Sequence, residues 1–258
     1  MNGGSKRSRE WFDSWFDETY LALYSHRDTH EARQFVNWIA DHYADEASAG
    51  VIDLACGAGR HSHVMADEQC WNVIGIDLSH DMLFSRDARE YTCEGHPPLF
   101  VQGDLRSLPF QSNSFGLAVN LFTSFGYFRS DEEHISALRQ IYEVLTTGGI
   151  AIFDLINPDH ALRTLVPHDL RQIGTLEVDQ LRTFDQRTKR LEKRIIIRYP
   201  NGVERNVLES VRLFSNLEMS SLLSEAGFTI VDQIGSYQGE SYDPEASERM
   251  ILIGRKAG

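Results

Sequence analysis

The sequence predicts an α/β fold: a mostly parallel seven-stranded sheet with helices on both faces, plus a small antiparallel β insert after the fifth strand. Three observations carry this. Five short apolar runs, "GVIDLA", "WNVIGIDLS", "PLFVQGDL", "FGLAVNLF" and "GGIAIFDLIN", each lead into an acid or an amide. Helical patterns, roughly Arg60 to Glu68, His80 to Tyr91 and Asp131 to Leu145, separate most of them. After Asn157 the character changes to alternating and β-branched runs with a "PNG" turn. Strands alternating with helices form a parallel sheet through right-handed crossovers, so the carboxyl ends of the strands share one edge.

In chain order, "MNGGSKRSRE" reads as a disordered tail over residues 1–10, with no apolar segment behind its basic residues to suggest a secretory signal. "REWFDSWFDETYLALY" spaces its aromatics for one helix face, and "THEARQFVNWIADHY" is a second helical pattern with Thr29 as its cap. Together, residues 11–48 are expected to form an N-terminal helical lid. The main domain is expected over 49–158 and 216–258. In its second part a helix, "NLEMSSLLSEAGF", stops at Gly227, and two more strands, "TIVDQIG" and "RMILIGRK", complete the seven. Between them, 159–215 holds three strand-like runs, "TLEVDQLRTFDQ", "RLEKRIIIRYPNG" and "VERNVLESVRLF".

The 258 residues, 41% hydrophobic and 24% charged, are ample for a buried core. No run approaches the ~18 apolar residues of a membrane span. A net charge of -13 argues against a nucleic-acid substrate, and the basic run Arg187 to Arg194 reads as a solvated hairpin. Cys56, Cys70 and Cys93 are odd in number and widely spaced, which argues against a disulfide framework or a zinc site and makes a reducing cytoplasm the expected compartment. The histidines form no metal-ligand motif; His61 and His63 fall where a helix is expected.

Five consecutive strands end in Asp53, Asp77, Asp104, Asn120 and Asp154 on the common edge, where open α/β sheets bind ligands. Helix capping alone accounts less easily for all five. In "DLACGAGR", Gly57 and Gly59 allow a sharp turn and a close ligand approach. A GxGxxG dinucleotide pattern fails because Ser62 stands at its third glycine position. Asp53, four residues before Gly57, repels a pyrophosphate and suits an ammonium group. Asp77, eighteen residues past Gly59, is placed to grip ribose hydroxyls, and Asp104, next to Leu105, can accept from an adenine amino group. These requirements converge on a nucleoside that carries an amino acid and no phosphate.

"VIDLACGAGRHS", "GIDLSHDML", "GDLRSLPF" and "VLTTGGIAIFDLIN" resemble the ordered motifs of class I S-adenosylmethionine-dependent methyltransferases, over about Val51 to Asn157. "NLFTSFGYF", "DETYLALYSHRD" and "GSYQGESYDPEASERMILIGRK" further resemble a bacterial, small-molecule-type branch of that family. The resemblance implies a Rossmann-like sheet and S-adenosyl-L-methionine as cofactor, with S-adenosyl-L-homocysteine as product; no metal is expected, because no metal-ligand set is visible in the sequence. It implies Asp53, Ala55, Gly57 and Gly59 around the methionine part, and Asp77 on the ribose with Leu78 and Met82 walling the adenine. It further implies Asp104 and Leu105 at the adenine, Asn120 and Leu121 beneath the methionine, and Tyr20 and Arg27 as closing lid residues.

Asn-Leu-Phe-Thr at 120–123 lacks the prolines of the Asn/Asp-Pro-Pro-Tyr motif of base-amino and glutamine methylation, and no acids for a catechol-type metal stand between Asn120 and Phe128. A small-molecule acceptor remains, and an amine is favoured because it needs only to be neutral, whereas a hydroxyl needs a base or metal. Asn120, Thr123 and Tyr127 are positioning candidates; Phe122, Tyr127, Arg212, Tyr237 and Tyr242 are acceptor-contact candidates. Within the loop, Ser124 is expected at the reacting groups, while Phe125 and Phe128 are expected to dock the next helix. The insert is expected to roof the acceptor site, or else to pair in a homodimer. The alternatives are a nicotinamide-dependent oxidoreductase or a transferase of another sulfonium-borne group on the same fold, or a non-catalytic cofactor-sensing module.

Overall fold

The computed structural model describes residues 10–24, 29–85, 96–122 and 124–258. Central strands β1 (Val51–Leu54) and β4 (Phe115–Asn120) are buried throughout, which is why they read as unbroken apolar runs. β1 pairs in parallel with both β2 (Val73–Asp77) and β4; β2 pairs with β3 (Leu99–Gln102), and β4 with β5 (Leu145–Ile156). Antiparallel to β5 lies β11 (Arg249–Lys256), followed by the edge strand β10 (Phe228–Ile234). The order is thus β10-β11-β5-β4-β1-β2-β3. The chain runs outward from β1 to β3 and returns on the other side of β1 as β4, which opens a crevice at the carboxyl ends of these two strands.

Alternate side chains of the strands feed two cores. Ile52, Leu54, Ala118 and Phe153 pack on the face covered by α5 (Asp131–Val144) and α7 (Asn216–Glu225). Val51, Leu117, Val119 and Ile152 pack on the other face with Phe35 and Ile39 of α2 (Thr29–Ala47) and Met65 of α3 (Arg60–Glu68). Among the described residues, this half also holds the short α4 (His80–Phe84), capped by Ser79. Its expected continuation toward Tyr91 lies partly outside the described residues. α7 ends at Glu225, ahead of Gly227.

The N-terminal aromatic run is not one helix. A 3-10 turn, Trp11–Asp13, is followed by a short α1 (Glu18–Leu23), because the Asp17 side chain accepts from the Thr19 and Tyr20 amides at 2.9 and 3.2 Å and starts a new helix there. Thr29 lies within α2 rather than capping it.

After α6 (Pro158–Arg163), the insert is a four-stranded antiparallel sheet: β6 (His168–Ile173), β7 (Leu176–Asp185), β8 (Arg190–Arg198) and β9 (Glu204–Arg212). Its first strand, "HDLRQI", escapes sequence pattern because it is a largely exposed, polar edge. The insert packs against the N-terminal strap. Val178, Ile195 and Ile197 enclose Trp15 and Leu23. Glu209 accepts from Trp15 Nε1 at 2.7 Å and Tyr24 Oη at 3.1 Å and pairs with Lys193 at 3.0 Å, while Arg205 pairs with Asp17 at 2.6 Å.

Two expectations are corrected. The basic run is not simply a solvated hairpin. Arg190 is half-buried and donates to Phe128 O (2.9 Å), Ser210 O (2.8 Å) and Ser210 Oγ (2.8 Å), gripping the loop after β4. Cys70 is disulfide-bonded, although the number and spacing of the cysteines argued against a disulfide framework.

Candidate functional site

A cavity of about 360 Å³ opens at the carboxyl edge of β1, β2 and β3. Asp53, Ala55, Gly57, Asp77, Leu78, Met82, Asp104 and Leu105 form one wall. Tyr20, Leu121, Phe122 and Tyr127, also singled out in the sequence, line it too.

The turn after β1 makes the first subsite. Gly59, the N-terminal cap of α3, has φ +79°, and a Cβ there would lie 2.6 Å from the Phe100 ring. Only glycine fits that backbone and that space. Asp53 is 2% exposed and accepts from Ser62 Oγ at 2.5 Å. The residue that broke the dinucleotide pattern therefore holds the acid in place. Burial pushes the Asp53 carboxyl up to about 7, against the Ser62 hydrogen bond that pulls it down. Its charged form is costly unless a cation comes beside it.

Asp77 closes β2. Its Oδ2 accepts from the Gly57 amide at 2.8 Å and its Oδ1 from the Ser79 amide at 2.8 Å. Burial raises its pKa against these bonds. Each carboxylate oxygen keeps a second lone pair, as two ribose hydroxyls require. Asp104 is held by Arg106, whose Nε and Nη2 donate to its Oδ1 and Oδ2 at 3.0 and 2.8 Å. Arg106 in turn pairs with Glu10 and Glu133 and lies over the Phe128 ring, which fixes the acid's orientation.

Asn120, the last residue of β4, and Asp154, two residues before the end of β5, do not line the cavity. Asn120 is fully buried and donates from Nδ2 to Leu54 O at 2.9 Å, tying the ends of β4 and β1 together. Asp154, fully buried, accepts from Tyr237 Oη (2.7 Å), Arg249 Nε (2.7 Å) and Nη2 (2.5 Å), and the Phe122 amide (2.7 Å). That last bond holds Phe122 at φ +62°, a left-handed conformation uncommon for a bulky residue.

The acceptor-contact candidates divide. Phe122 and Tyr127 line the cavity, whereas Arg212, Tyr237 and Tyr242 do not. Arg212 pairs with Glu218 at 2.7 Å and stacks on Phe214; Tyr237 serves Asp154; and Tyr242 Oη lies 3.3 Å from Asn157 Oδ1. Gly59 shapes the turn from behind. Arg27 and Thr123 lie outside the described residues.

No residue of the insert lines the cavity. The opposite wall comes from the strap, through Phe12, Phe16, Tyr20, Leu21 and Tyr24. Phe16 stacks on Tyr127 at 5.8 Å and meets Tyr20 at 4.8 Å. Sequence reasoning did not place Phe12, Phe16, Arg60, His61 or Phe128 at the site; for Phe12 and Phe16 the aromatic spacing of the strap was the available signal. Phe125 is the core residue expected, 1% exposed. His61 is held neutral, pushed down to about 3 by burial and then by Arg60 and Arg249. Among the described residues, no three His, Cys, Asp or Glu side chains are grouped to hold a metal ion, and no described helix is long and apolar enough to cross a membrane.

A doubly wound sheet sets its ligand crevice at the switch point, and Asp53, Asp77 and Asp104 gather there. Residues 51–149 match the family described as a methyltransferase domain. Over this segment the chain therefore carries a methyltransferase domain, as the sequence resemblance to class I S-adenosylmethionine-dependent methyltransferases implies. It is 31% identical over 140 residues to a putative methyltransferase of Bacillus subtilis, covering 54% of this chain and 53% of that one. It is 32% identical over 109 residues to a Streptomyces venezuelae dTDP-3-amino-3,4,6-trideoxy-α-D-glucopyranose N,N-dimethyltransferase, covering 42% and 43%. The chain thus spans about half the length of these two relatives or less. In fold it is similar to the CcbJ methyltransferase of Streptomyces caelestis, with TM-score 0.77, 17% identity and coverage of 98% and 100%. It is also similar to the sugar N-methyltransferase KedS8 from Streptoalloteichus, with TM-score 0.68, 19% identity and coverage of 100% and 99%.

Proposed function

We propose that the protein transfers a methyl group from S-adenosylmethionine to a nitrogen of a small-molecule amine, with both reactants in the edge cavity. The observation that carries this is the convergence of Asp53, Asp77 and Asp104 on one wall, facing an aromatic wall. Asp53 takes the cofactor's ammonium, Asp77 its ribose and Asp104 its adenine amino group, with Leu78, Met82 and Leu105 against the base. When bound, the cofactor supplies an electrophilic methyl on a sulfonium whose thioether leaves without acid assistance.

The rings of Phe12, Phe16, Tyr20, Phe122, Tyr127 and Phe128 exclude water and align the acceptor. A neutral amine gives its lone pair to the new N–C bond as the C–S pair returns to sulfur. The nitrogen gains positive charge in that step, and ring faces attract it. His61, neutral and with its pKa near 3, is too weak a base to take a hydroxyl proton near pH 7. This favours an amine that needs no base in the step. The names of two similar proteins, an amino-sugar N,N-dimethyltransferase and a sugar N-methyltransferase, make amino sugars the first class to try. A net charge of -13 supports a small molecule over nucleic acid. Incubating the protein and cofactor with amino sugars and with their hydroxyl counterparts, and measuring S-adenosylhomocysteine formed, tests the reading. Turnover is expected with amines; turnover confined to hydroxyl acceptors would overturn the nitrogen assignment.

Asp53 gives a pH dependence with a definite sign. Below about 7 the free protein holds a proton on this acid, and an arriving ammonium must displace it. Affinity for S-adenosylhomocysteine is therefore expected to rise with pH up to about 7, by at most about tenfold per unit, and then to level off. The same raised pKa lowers the free protein's stability as pH climbs from about 4 to about 7, because the folded state keeps the proton longer. Calorimetry across this range should show the rise in wild type and a flat profile in Asp53→Asn.

A further inference from the structure

We propose that a second cavity, beside the first, receives a phosphoryl group carried by the methyl acceptor. This deepens the acceptor reading above and rests on it. The acceptor is then an amine at one end and a phosphate at the other.

The second cavity, of about 260 Å³, is lined by Glu10, Trp11, Tyr127, Arg129, Arg190 and Ser210. Tyr127 lines both cavities, so the two adjoin at this residue. Their charges differ in sign. The larger cavity sets Asp53, Asp77 and Asp104 against Arg60. The smaller sets Arg129 and Arg190 against Glu10, and Glu10 is already paired with Arg106 at 3.0 Å.

Arg190 is the cation that lacks an acid. The other half-buried cations of the insert sheet, Arg182, Lys193, Arg198, Arg205 and Arg212, each pair with a carboxylate. Arg190 makes no ion pair among the described residues; it bonds to carbonyls and to one hydroxyl. Burial holds its pKa below the usual guanidinium range, with Glu192 opposing the shift and Arg212 adding to it. A desolvated cation without a counter-charge favours an anion beside it.

Three donors are unspent around this cavity. Arg190 Nε donates to Ser210 Oγ at 2.8 Å. Its Nη2 donates to Ser210 O (2.8 Å), Gly126 O and Tyr127 O (both 3.3 Å), and its Nη1 to Phe128 O (2.9 Å). One hydrogen on Nη1 is therefore left over. Ser210, 8% exposed, accepts from Arg190, and its own hydroxyl hydrogen has no acceptor among the described residues. Trp11 Nε1 is buried and has no hydrogen-bond partner. The strap, β8 and β9 thus supply one donor each. Buried donors are nearly always satisfied, and one shared acceptor accounts for all three. A phosphate monoester brings three strong acceptor oxygens and close to two negative charges, which matches three donors and an unpaired cation. Because Arg190 also holds the backbone of Tyr127 and Phe128, one side chain fixes both this subsite and the acceptor wall.

The test is calorimetric titration of the protein loaded with S-adenosylhomocysteine. The probes are ω-aminoalkyl phosphates of graded chain length, the matching amino alcohols, and inorganic phosphate. At one chain length the aminoalkyl phosphate is expected to bind roughly tenfold or more tighter than both its amino alcohol and inorganic phosphate. Trp11→Phe and Ser210→Ala each remove one donor and little volume. Each is expected to weaken that phosphate several-fold and to leave the amino alcohol unchanged; Trp11→Phe carries the comparison should Ser210→Ala fold poorly. Inorganic phosphate binding as tightly as every aminoalkyl phosphate would make this a site for a free anion. Phosphates binding no better than the alcohols would leave no phosphoryl site. No effect of either variant on the phosphate, or equal weakening of phosphate and alcohol, would mean that these donors do not meet it. Each of these results overturns the proposal while the cofactor reading stands. Wild-type protein that does not bind S-adenosylhomocysteine would defeat the cofactor reading itself, and the same phosphate titrations on the unloaded protein then decide the second cavity alone.

Discussion

Asp77→Ala is expected to weaken S-adenosylhomocysteine binding by roughly a hundredfold or more, the loss of two hydrogen bonds to a charged acceptor at about 1.5–3 kcal/mol each. Asp77 Oδ1 and Oδ2 already hold the Ser79 and Gly57 amides at 2.8 Å, so the variant also releases the turn that shapes the methionine subsite. Both effects act in the same direction. Asp77→Asn keeps one acceptor oxygen and should lose less. The readout is the rise in melting temperature that a ligand produces when it binds only the native state. An Asp77→Ala protein stabilised as much as wild type would remove the ribose assignment.

Asp154→Ala is expected to be the most destabilising of the edge-acid substitutions, by about 3–5 kcal/mol, because it leaves a buried charge partner uncompensated. Asp154 is fully buried and is the shared acceptor for Arg249, Tyr237 and the Phe122 amide. Without it the guanidinium, the phenol and the strained loop all lose their anchor. At about 2–4 °C per kcal/mol for a chain of this size, the melting temperature should fall by on the order of 10 °C. A fall no larger than that of an ordinary surface substitution would show that the hub is not structural. The contrast with Asp77 matters, since both are acids toward the carboxyl ends of parallel strands. One is expected to act mainly on ligand affinity, and the other mainly on stability.

That contrast also marks where sequence reasoning reached its limit. Parallel strands were legible because β1, β2, β4 and β5 are apolar runs ending at a common edge, and Asp53, Asp77 and Asp104 do meet in one cavity. Asn120 and Asp154 read as strand ends of the same kind, but their roles are set by Leu54, Tyr237 and Arg249, which lie 66, 83 and 95 positions away. No local pattern carries such pairings. Ser62 read as a missing glycine, although its hydroxyl is what holds Asp53. The aromatic strap had the spacing of an amphipathic helix, yet Asp17 restarts the helix within it. Its rings face two ways, Trp15 toward the insert and Phe16 toward the cavity. The insert therefore acts at one remove. It does not roof the cavity but braces the strap through Glu209 and Arg205 and the post-β4 loop through Arg190.

Titrating the wild-type protein with S-adenosylhomocysteine in a calorimeter, beside an identical titration with NAD, tests the cavity assignment most directly. One equivalent of S-adenosylhomocysteine bound, with no heat from NAD, is the predicted result. Binding of NAD with no response to S-adenosylhomocysteine would contradict it.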